Sequence, residues 1–349
     1  MSANNTYDII VIGAGPAGST FCRLIDARYK VLLIGKADSK PCGGLLSPDA
    51  QYELARYNLT LPKDVLVDPQ IFAVKTIDLN SSRQRYYPRS YLNMDRSKFD
   101  NWLISMIGSN VTIATAVCRR VDESDGKYKV FYTEEGLDKV AYATYVVDAC
   151  GAGSFLRKKI FKKKIRKYLA IQQTFEATEH SPFYSCIFDK KTTDCCAWII
   201  SKDNTMIYGG AFPMKQARAK FEEQKKKLSL SGILFGKEQS LQACVVYRPS
   251  GPFQFTLAKN SVFAVGEAAG FISPSSLEGI SYAMASGRLL AFAFNNYDRK
   301  KEITSCYKRK TFSLRMKLLL KLLKCPFMYN SFLRNCVLKT GITSVNIEK

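Results

Sequence analysis

The spacing of apolar and polar positions changes along the chain, and each change predicts an element. Residues 7–12 are apolar almost throughout, the pattern of a strand buried on both faces of a parallel sheet. Residues 13–18 follow as a tight glycine loop. Residues 19–28 then place Phe21, Leu24 and Ile25 on one face of a helix. A second strand is predicted over 31–34, and a Gly-, Pro- and Ser-rich loop over 35–48. Polarity alternates over 70–92, which reads as strands, and 96–107 reads as a helix. Strands are predicted over 111–116, 128–132 and 142–148, with a hairpin joining the last two. Residues 168–255 carry several strand-like stretches, among them 198–200 and 205–208. A buried strand over 261–265 and a helix over 275–295 follow. Residues 304–340 read as helical, interrupted at Pro326.

This order predicts an α/β fold: a Rossmann-type domain with an inserted β-sheet domain and a C-terminal helical tail. Residues 1–70, 93–165 and 256–300 are expected to form the first domain, 71–92 and 166–255 the insertion, and 301–349 a basic tail.

Composition sharpens this reading. Of the 349 residues, 52 are Lys or Arg and 30 are Asp or Glu, a net charge of +22. Residues 157–167 carry eight basic residues and no acid; residues 298–349 carry thirteen basic and three acidic residues. Such concentration points to an anionic partner. On a helix over 310–324, Phe312, Met316, Leu319, Leu320 and Leu323 share one face, and Lys310, Lys317, Lys321 and Lys324 another. That pattern suits a helix lying on an anionic membrane surface. No nucleic-acid-binding motif appears, so a nucleic-acid partner is not expected. The eleven cysteines fit neither a disulfide framework nor a zinc site, and the single His180 leaves little room for histidine-based chemistry or a metal site. No signal peptide and no apolar run of about 20 residues is visible, so the expectation is a cytoplasmic protein, peripheral to the inner face of a membrane at most.

The loop Gly13, Ala14, Gly15, Pro16, Ala17, Gly18 carries the clearest chemistry. Placed between a strand and a helix, its G-x-G-x-x-G spacing fits the pyrophosphate of a dinucleotide. An acidic residue is expected at the end of the second strand to hold the ribose. Gly35 stands there instead, followed by Lys36.

Further motifs occur in order: Pro41-Cys42-Gly43-Gly44, Asp95-Arg96 before a helix, Gly266-Glu267-Ala268-Ala269-Gly270, Glu278-Gly279-Ile280 and Ser286-Gly287. Together they resemble the geranylgeranyl-reductase-like FAD oxidoreductases, a branch of the p-hydroxybenzoate-hydroxylase superfamily, and more closely the CbrA family of bacteria. The resemblance implies FAD as cofactor. Arg96 would reach its phosphates, Glu267 would replace the family's Asp as acceptor of ribityl hydroxyls, and the segment from Gly270 to Gly279 and Ile280 would face the flavin's pyrimidine end. Lys36, Cys42, Gly43 and Gly44 belong to the same cofactor set. In the family the Pro-Cys-Gly-Gly loop lies at the isoalloxazine ring, where the Cys42 thiol would donate a proton to the carbon receiving hydride or simply shape the pocket. Trp198 matches a substrate-pocket tryptophan, whereas Ile200 and Ser201 depart from that motif. Cys150 stands where the superfamily carries an Asp. The implied activity is reduction of carbon–carbon double bonds in an apolar, isoprenoid-like small molecule or lipid by hydride from reduced flavin. Electrons would come from transient NAD(P)H binding or from a protein donor. An FAD monooxygenase or halogenase, and a non-catalytic membrane-associated flavoprotein, are the alternatives; a halogenase-type lysine between flavin and substrate cannot be placed from the sequence.

Overall fold

A computed structural model describes residues 5–36, 40–124 and 126–347. The chain crosses repeatedly between two sheets. β1 (Thr6–Ile12), helix α1 (Pro16–Leu24) and β2 (Val31–Ile34) open the first sheet. β3 (Leu45–Leu46), α2 (Pro48–Ala55), β4 (Ile71–Asp78) and β5 (Arg83–Asn93) go to the second. Helix α3 (Arg96–Ser105) leads back to β6 (Val111–Ala114), β7 (Ala116–Ser124), β8 (Lys127–Glu134) and β9 (Leu137–Asp148) of the first. β10 (Arg166–Glu176), β11 (Phe183–Phe188), β12 (Ala197–Lys202), β13 (Thr205–Pro213), α4 (Ala217–Leu230) and β14 (Glu238–Arg248) complete the second. β15 (Ala258–Lys259) and β16 (Val262–Ala264) return to the first.

The first sheet has the order β15-β16-β9-β1-β2-β6, with the β7–β8 hairpin continuing from β9. β1 pairs in parallel with β2 and β9, as β16 does with β9. The alternation of the strands explains why they are apolar on both faces. Ile9, Val11, Val31 and Leu33 pack under α1 and helix α5 (Ile280–Asn296). Ile10, Ile12, Leu32 and Ile34 pack under the β7–β9 strands. A Cβ at Gly287 of α5 would overlap the Ala17 carbonyl oxygen, so α1 and α5 meet backbone to backbone.

The second sheet has the order β14-β10-β13-β12-β11-β4-β5-β3. Only its β4–β11 contact is parallel among the strand pairs described. Ile171, Ala197, Ile199, Tyr208 and Phe212 on one face pack against Phe221 and Leu228 of α4. The opposite face, with Ala170, Cys186 and Ala211, meets Ala152 and Ile272 from beside the first sheet.

Several expectations are corrected. α1 begins at Pro16 and ends at Leu24, and α5 begins at Ile280, five residues later than predicted. Within 168–255 the chain also forms α4, which period-two reading missed because only Ala217, Phe221, Gln224 and Leu228 of that charged segment are buried. The C-terminal region is four helices: α6 (Lys300–Lys310), α7 (Phe312–Leu322), α8 (Cys325–Tyr329) and α9 (Ser331–Thr340). The break before α7 falls at buried Thr311, whose hydroxyl donates to Tyr307 O at 2.7 Å. Pro326 lies in the first turn of α8, where its missing N–H costs nothing. α7 docks through buried Leu318 and half-buried Leu314, not through the face seen in the sequence. Phe312, Met316, Leu320 and Leu323 are exposed, while Lys317 and Lys321 turn to Asp49 at 2.8 and 3.9 Å. The basic run 157–167 is also partly internal. Arg157 is buried, and Lys159 pairs with Asp122 at 2.9 Å. Among the described residues no helix is long and apolar enough to cross a membrane, and the eleven cysteines are all free.

Candidate functional site

The glycine loop is fixed by backbone packing. Gly13 has φ of 112°, and a Cβ there would overlap Ala149 O at the end of β9. A Cβ at Gly18 would overlap the Gly13 carbonyl. Gly15, the N-cap of α1, has no atom within 4 Å of where its Cβ would stand and no side-chain cap. The loop therefore combines tight support beneath with open space above the helix N-terminus, the arrangement that admits a phosphate. Ala14, Pro16 and Ala17 are buried under it. Gly35 has a steric cause: a Cβ would lie 2.6 Å from Ala14 N. In this backbone the end of β2 passes too close to the loop for an acidic side chain. Lys36 follows, exposed.

The turn after β16 abuts that loop. Gly266 has φ of 58°, and its Cβ would stand 2.9 Å from Ala17 Cβ. Its N–H donates to Ser286 Oγ at 2.8 Å. The neighbouring Glu267 is nearly buried; its Oε1 accepts from Tyr247 N at 2.7 Å and its Oε2 is ion-paired with Lys40. Burial by itself would lower the Lys40 ammonium, but Glu267 holds it above its ordinary value. The Cys150–Gly151 turn lies alongside, 3.5 Å from Glu267 Oε2 at the Gly151 Cβ position. Cys150 donates its thiol to Ile12 O at 3.2 Å, and burial followed by the nearby Asp148 pushes that thiol well up. It therefore serves as a neutral plug between β1 and β9, where the superfamily's acid would stand.

The loop 41–44 is held from several elements. Gly44 has φ of 61°; its N–H donates to Cys42 Sγ at 3.4 Å and its carbonyl accepts from Met94 N at 2.9 Å. Trp198, Ile200 and Lys202 alternate onto one face of β12 and meet this loop. A Cβ at Gly43 would stand 2.7 Å from Ile200 Cδ1 and 3.7 Å from Trp198 Nε1. The indole also lies on Gly209, whose Cβ would come within 2.7 Å of it. Beside the loop, Trp198 Nε1 is a buried donor with no hydrogen-bond partner among the described residues. Lys202 Nζ donates to Asn93 Oδ1 and Met94 O at 2.7 Å each and to Gly44 O at 3.3 Å. Desolvation lowers its pKa to about 8.

Arg96 opens α3 behind the N-cap Asp95, whose carboxylate accepts from Lys98 N at 2.9 Å. Its guanidinium pairs with Asp100 at 2.9 Å and stands beside the Cys42 thiol. Burial opposes its charge, yet Asp100 and Cys42 keep it firmly protonated. Electrostatic reach links Lys40, Glu267, Cys244, Arg96 and Cys42 into one cluster, and Lys202 is joined to it through Cys42. Cys42, Arg96 and Glu267 were visible in the sequence; Lys40, Asp100, Lys202 and Cys244 were not. The Gly270 end of the turn has φ of 92° and packs on Gln254 O. Arg157 braces it from below, donating to Ala268 O, Thr256 Oγ1 and Gln254 O. At the N-terminus of α5, Gly279 is the N-cap before Ile280, and Glu278 accepts from Ser281 N at 3.0 Å. One of the N–H groups expected to face the flavin is thus already occupied, and burial raises the Glu278 carboxyl. Among the described residues no group of side chains is suited to a metal ion.

These features have counterparts in known proteins. Residues 8–229 match the lycopene cyclase protein family. Over 348 residues the chain is 41% identical to protein CbrA of Escherichia coli O6:H1, covering 97% of this chain and 94% of that protein. Its fold is similar to that of a geranylgeranyl bacteriochlorophyll reductase-like protein from Thermoplasma acidophilum, with a TM-score of 0.72 and 17% identity over 98% of this chain and 89% of the other. It is similar also to a probable FAD-dependent monooxygenase from Pseudomonas aeruginosa, with a TM-score of 0.69 and 15% identity over 96% and 100% of the two chains. At these identities the likeness establishes a common fold.

Proposed function

The chain belongs to the CbrA family and, through residues 8–229, to the lycopene cyclase protein family, and from that premise we propose that it is an FAD-dependent oxidoreductase that reduces carbon–carbon double bonds of an apolar, isoprenoid-like substrate. The observation that carries this reading is the convergence of Cys42, Arg96 and Glu267 on one cluster beside the glycine loop. The open space above Gly15, the buried unpartnered Trp198 Nε1 and the cations Lys40 and Arg96 together fit an anionic dinucleotide with a ring system. The names, a geranylgeranyl bacteriochlorophyll reductase-like protein for the similar structure and lycopene cyclase protein for the family, support the isoprenoid class.

In this reading residues 1–70, 93–165 and 256–300 hold the cofactor, and 71–92 with 166–255 face the substrate. The N–H groups at the start of α1 would hold the pyrophosphate. Glu267, fixed by Tyr247 N–H and Lys40, would accept hydrogen bonds from the polyol. Bound FAD would supply the electron pair, replenished by transient NAD(P)H binding or by a protein donor. The Cys42 thiol would give a proton to one alkene carbon and recover it from solvent. Arg96 and Lys202 are the two cationic side chains that neighbour that thiol. Trp198 and Ile200 would form the apolar wall of the site.

The test is anaerobic. Protein with photoreduced flavin is mixed with geranylgeraniol, and the flavin spectrum and product mass are followed. The expected result is flavin reoxidation with a product heavier by one H2. Reoxidation only on admitting oxygen, with an oxygenated product, would replace this reading by the monooxygenase one.

A further inference from the structure

The two basic segments of the sequence meet at one place in the structure. A surface hollow of about 490 Å³ lies beside β15, lined by the cations Lys163, Lys259, Lys308 and Arg315 together with Phe161 and Phe255. Lys163 comes from the run 157–167, and Lys308 and Arg315 from α6 and α7. None of the four cations makes an ion pair among the described residues. Arg157 and Lys159 of the same run are occupied elsewhere, by Ala268 O, Thr256 and Asp122. Two of these cations are positioned by backbone oxygens: Lys259 Nζ donates to Ile160 O at 2.9 Å, and Arg315 Nη2 to Lys308 O at 2.8 Å. Arg315 Nε remains a buried donor without a partner. Four positive charges alongside apolar lining residues match a phosphate group that carries a hydrocarbon part.

The surroundings of the hollow bear on which phosphate ester would suit it. Arg315 sits on α7 between Phe312 and Met316, which are 58% and 40% exposed. Leu320 and Leu323 continue the exposed row at 59% and 67%. Lys317 and Lys321, which could have interrupted it, are drawn aside to Asp49. We propose that the hollow binds the phosphate headgroup of an anionic lipid while the apolar row of α7 enters the membrane interface beside it. A nucleic acid would use the cations but not the row. No residue lining the hollow belongs to the redox cluster, so this inference stands whether or not the redox reading does.

The experiment is vesicle flotation of the full chain. Wild-type protein should float with phosphatidylcholine vesicles containing about 30% phosphatidylglycerol and be released near 1 M salt. The variant Lys163→Glu/Lys308→Glu changes two exposed side chains and should bind roughly 30-fold more weakly or worse, the loss of two surface cations. Lys190→Glu/Lys226→Glu makes the same charge change on the second-sheet domain and should bind within about twofold of wild type. Phe312→Ser/Leu320→Ser should lose binding with the basic hollow intact. Equal loss in the two charge-reversal variants would reduce the effect to net charge and overturn the proposal. So would equal flotation on neutral vesicles. Calorimetric binding of inorganic pyrophosphate without vesicle binding would assign the hollow to a soluble phosphate ester and overturn the lipid assignment. Circular dichroism of each variant excludes misfolding as the cause.

Discussion

The loops 13–18 and 41–44 are both rich in glycine, and both border the candidate site, but different forces hold them. In the first, backbone meets backbone: Gly13 against Ala149 O, Gly18 against Gly13 O, Gly35 against Ala14 N. Among the described residues no hydrogen bond from a charged side chain reaches residues 13–18. In the second, side chains from distant elements do the holding. Lys202 reaches Gly44 O and Met94 O from β12, Ile200 fills the space over Gly43, and Arg96 comes in from α3. The first loop is a rigid cradle whose shape depends on excluded volume. The second is a clip of side chains that includes the buried Lys202, whose pKa desolvation lowers to about 8, so its contribution to stability changes with pH.

The largest expected effect breaks the cradle. Gly18→Ala puts a methyl group into the Gly13 carbonyl, where no rotamer can yield. It should destabilise the fold by about 3 kcal/mol or more and abolish cofactor retention. Gly43→Ala meets only the tip of the Ile200 side chain at 2.7 Å and should cost about 1 kcal/mol. Chemical denaturation of the two variants checks this. Similar losses in both would erase the distinction between the loops.

Next in size is the chemistry of the clip. Cys42→Ser keeps the Gly44 N–H partner but raises the pKa of the proton to be given. It should retain FAD and slow reoxidation of the reduced protein by substrate by about 100-fold. Single-turnover absorbance measures this, and an unchanged rate would leave Cys42 as packing.

The smallest effect sharpens the comparison through pH. The Lys202 ammonium is protonated up to about 8 in the folded chain and up to about 10.5 when unfolded. Between those values folding releases a proton, so raising the pH favours the folded state. Wild type should therefore gain stability relative to Lys202→Met as pH rises from about 8 towards 10.5. Below about 8 the difference between the two should be flat. Urea midpoints across that range test the claim, and parallel pH profiles would refute it. The cradle variants should show no such divergence.

The same contrast explains what the sequence made legible. Loop 13–18 needs only residues adjacent in the chain and a strand before a helix, so its role could be read from spacing. The clip needs Lys202, which lies 158 residues from Gly44, and Lys40, 227 residues from Glu267. No local pattern marks a lysine as buried. The continuously apolar strands β1 and β2 of the first sheet were legible because both of their faces are covered. α4 was not, because its buried residues are spread thinly among lysines and glutamates. On α7 the sequence showed an apolar face but not which face docks; Leu314 and Leu318 face inward and the more conspicuous row faces out. Gly35 looked like a missing contact, and the structure supplies its steric reason.

FAD binding in the cradle is the claim on which the functional account rests, and flavin content measures it most directly. Purified protein, incubated with FAD and freed of excess, should carry about one FAD per chain, with an absorbance band near roughly 450 nm that is lost in Gly18→Ala. Because Gly35 offers the ribose no side chain, one hydrogen bond worth about 1–3 kcal/mol is missing, and partial occupancy before incubation is expected. No flavin band after saturation with FAD, or equal retention by Gly18→Ala, would contradict the account.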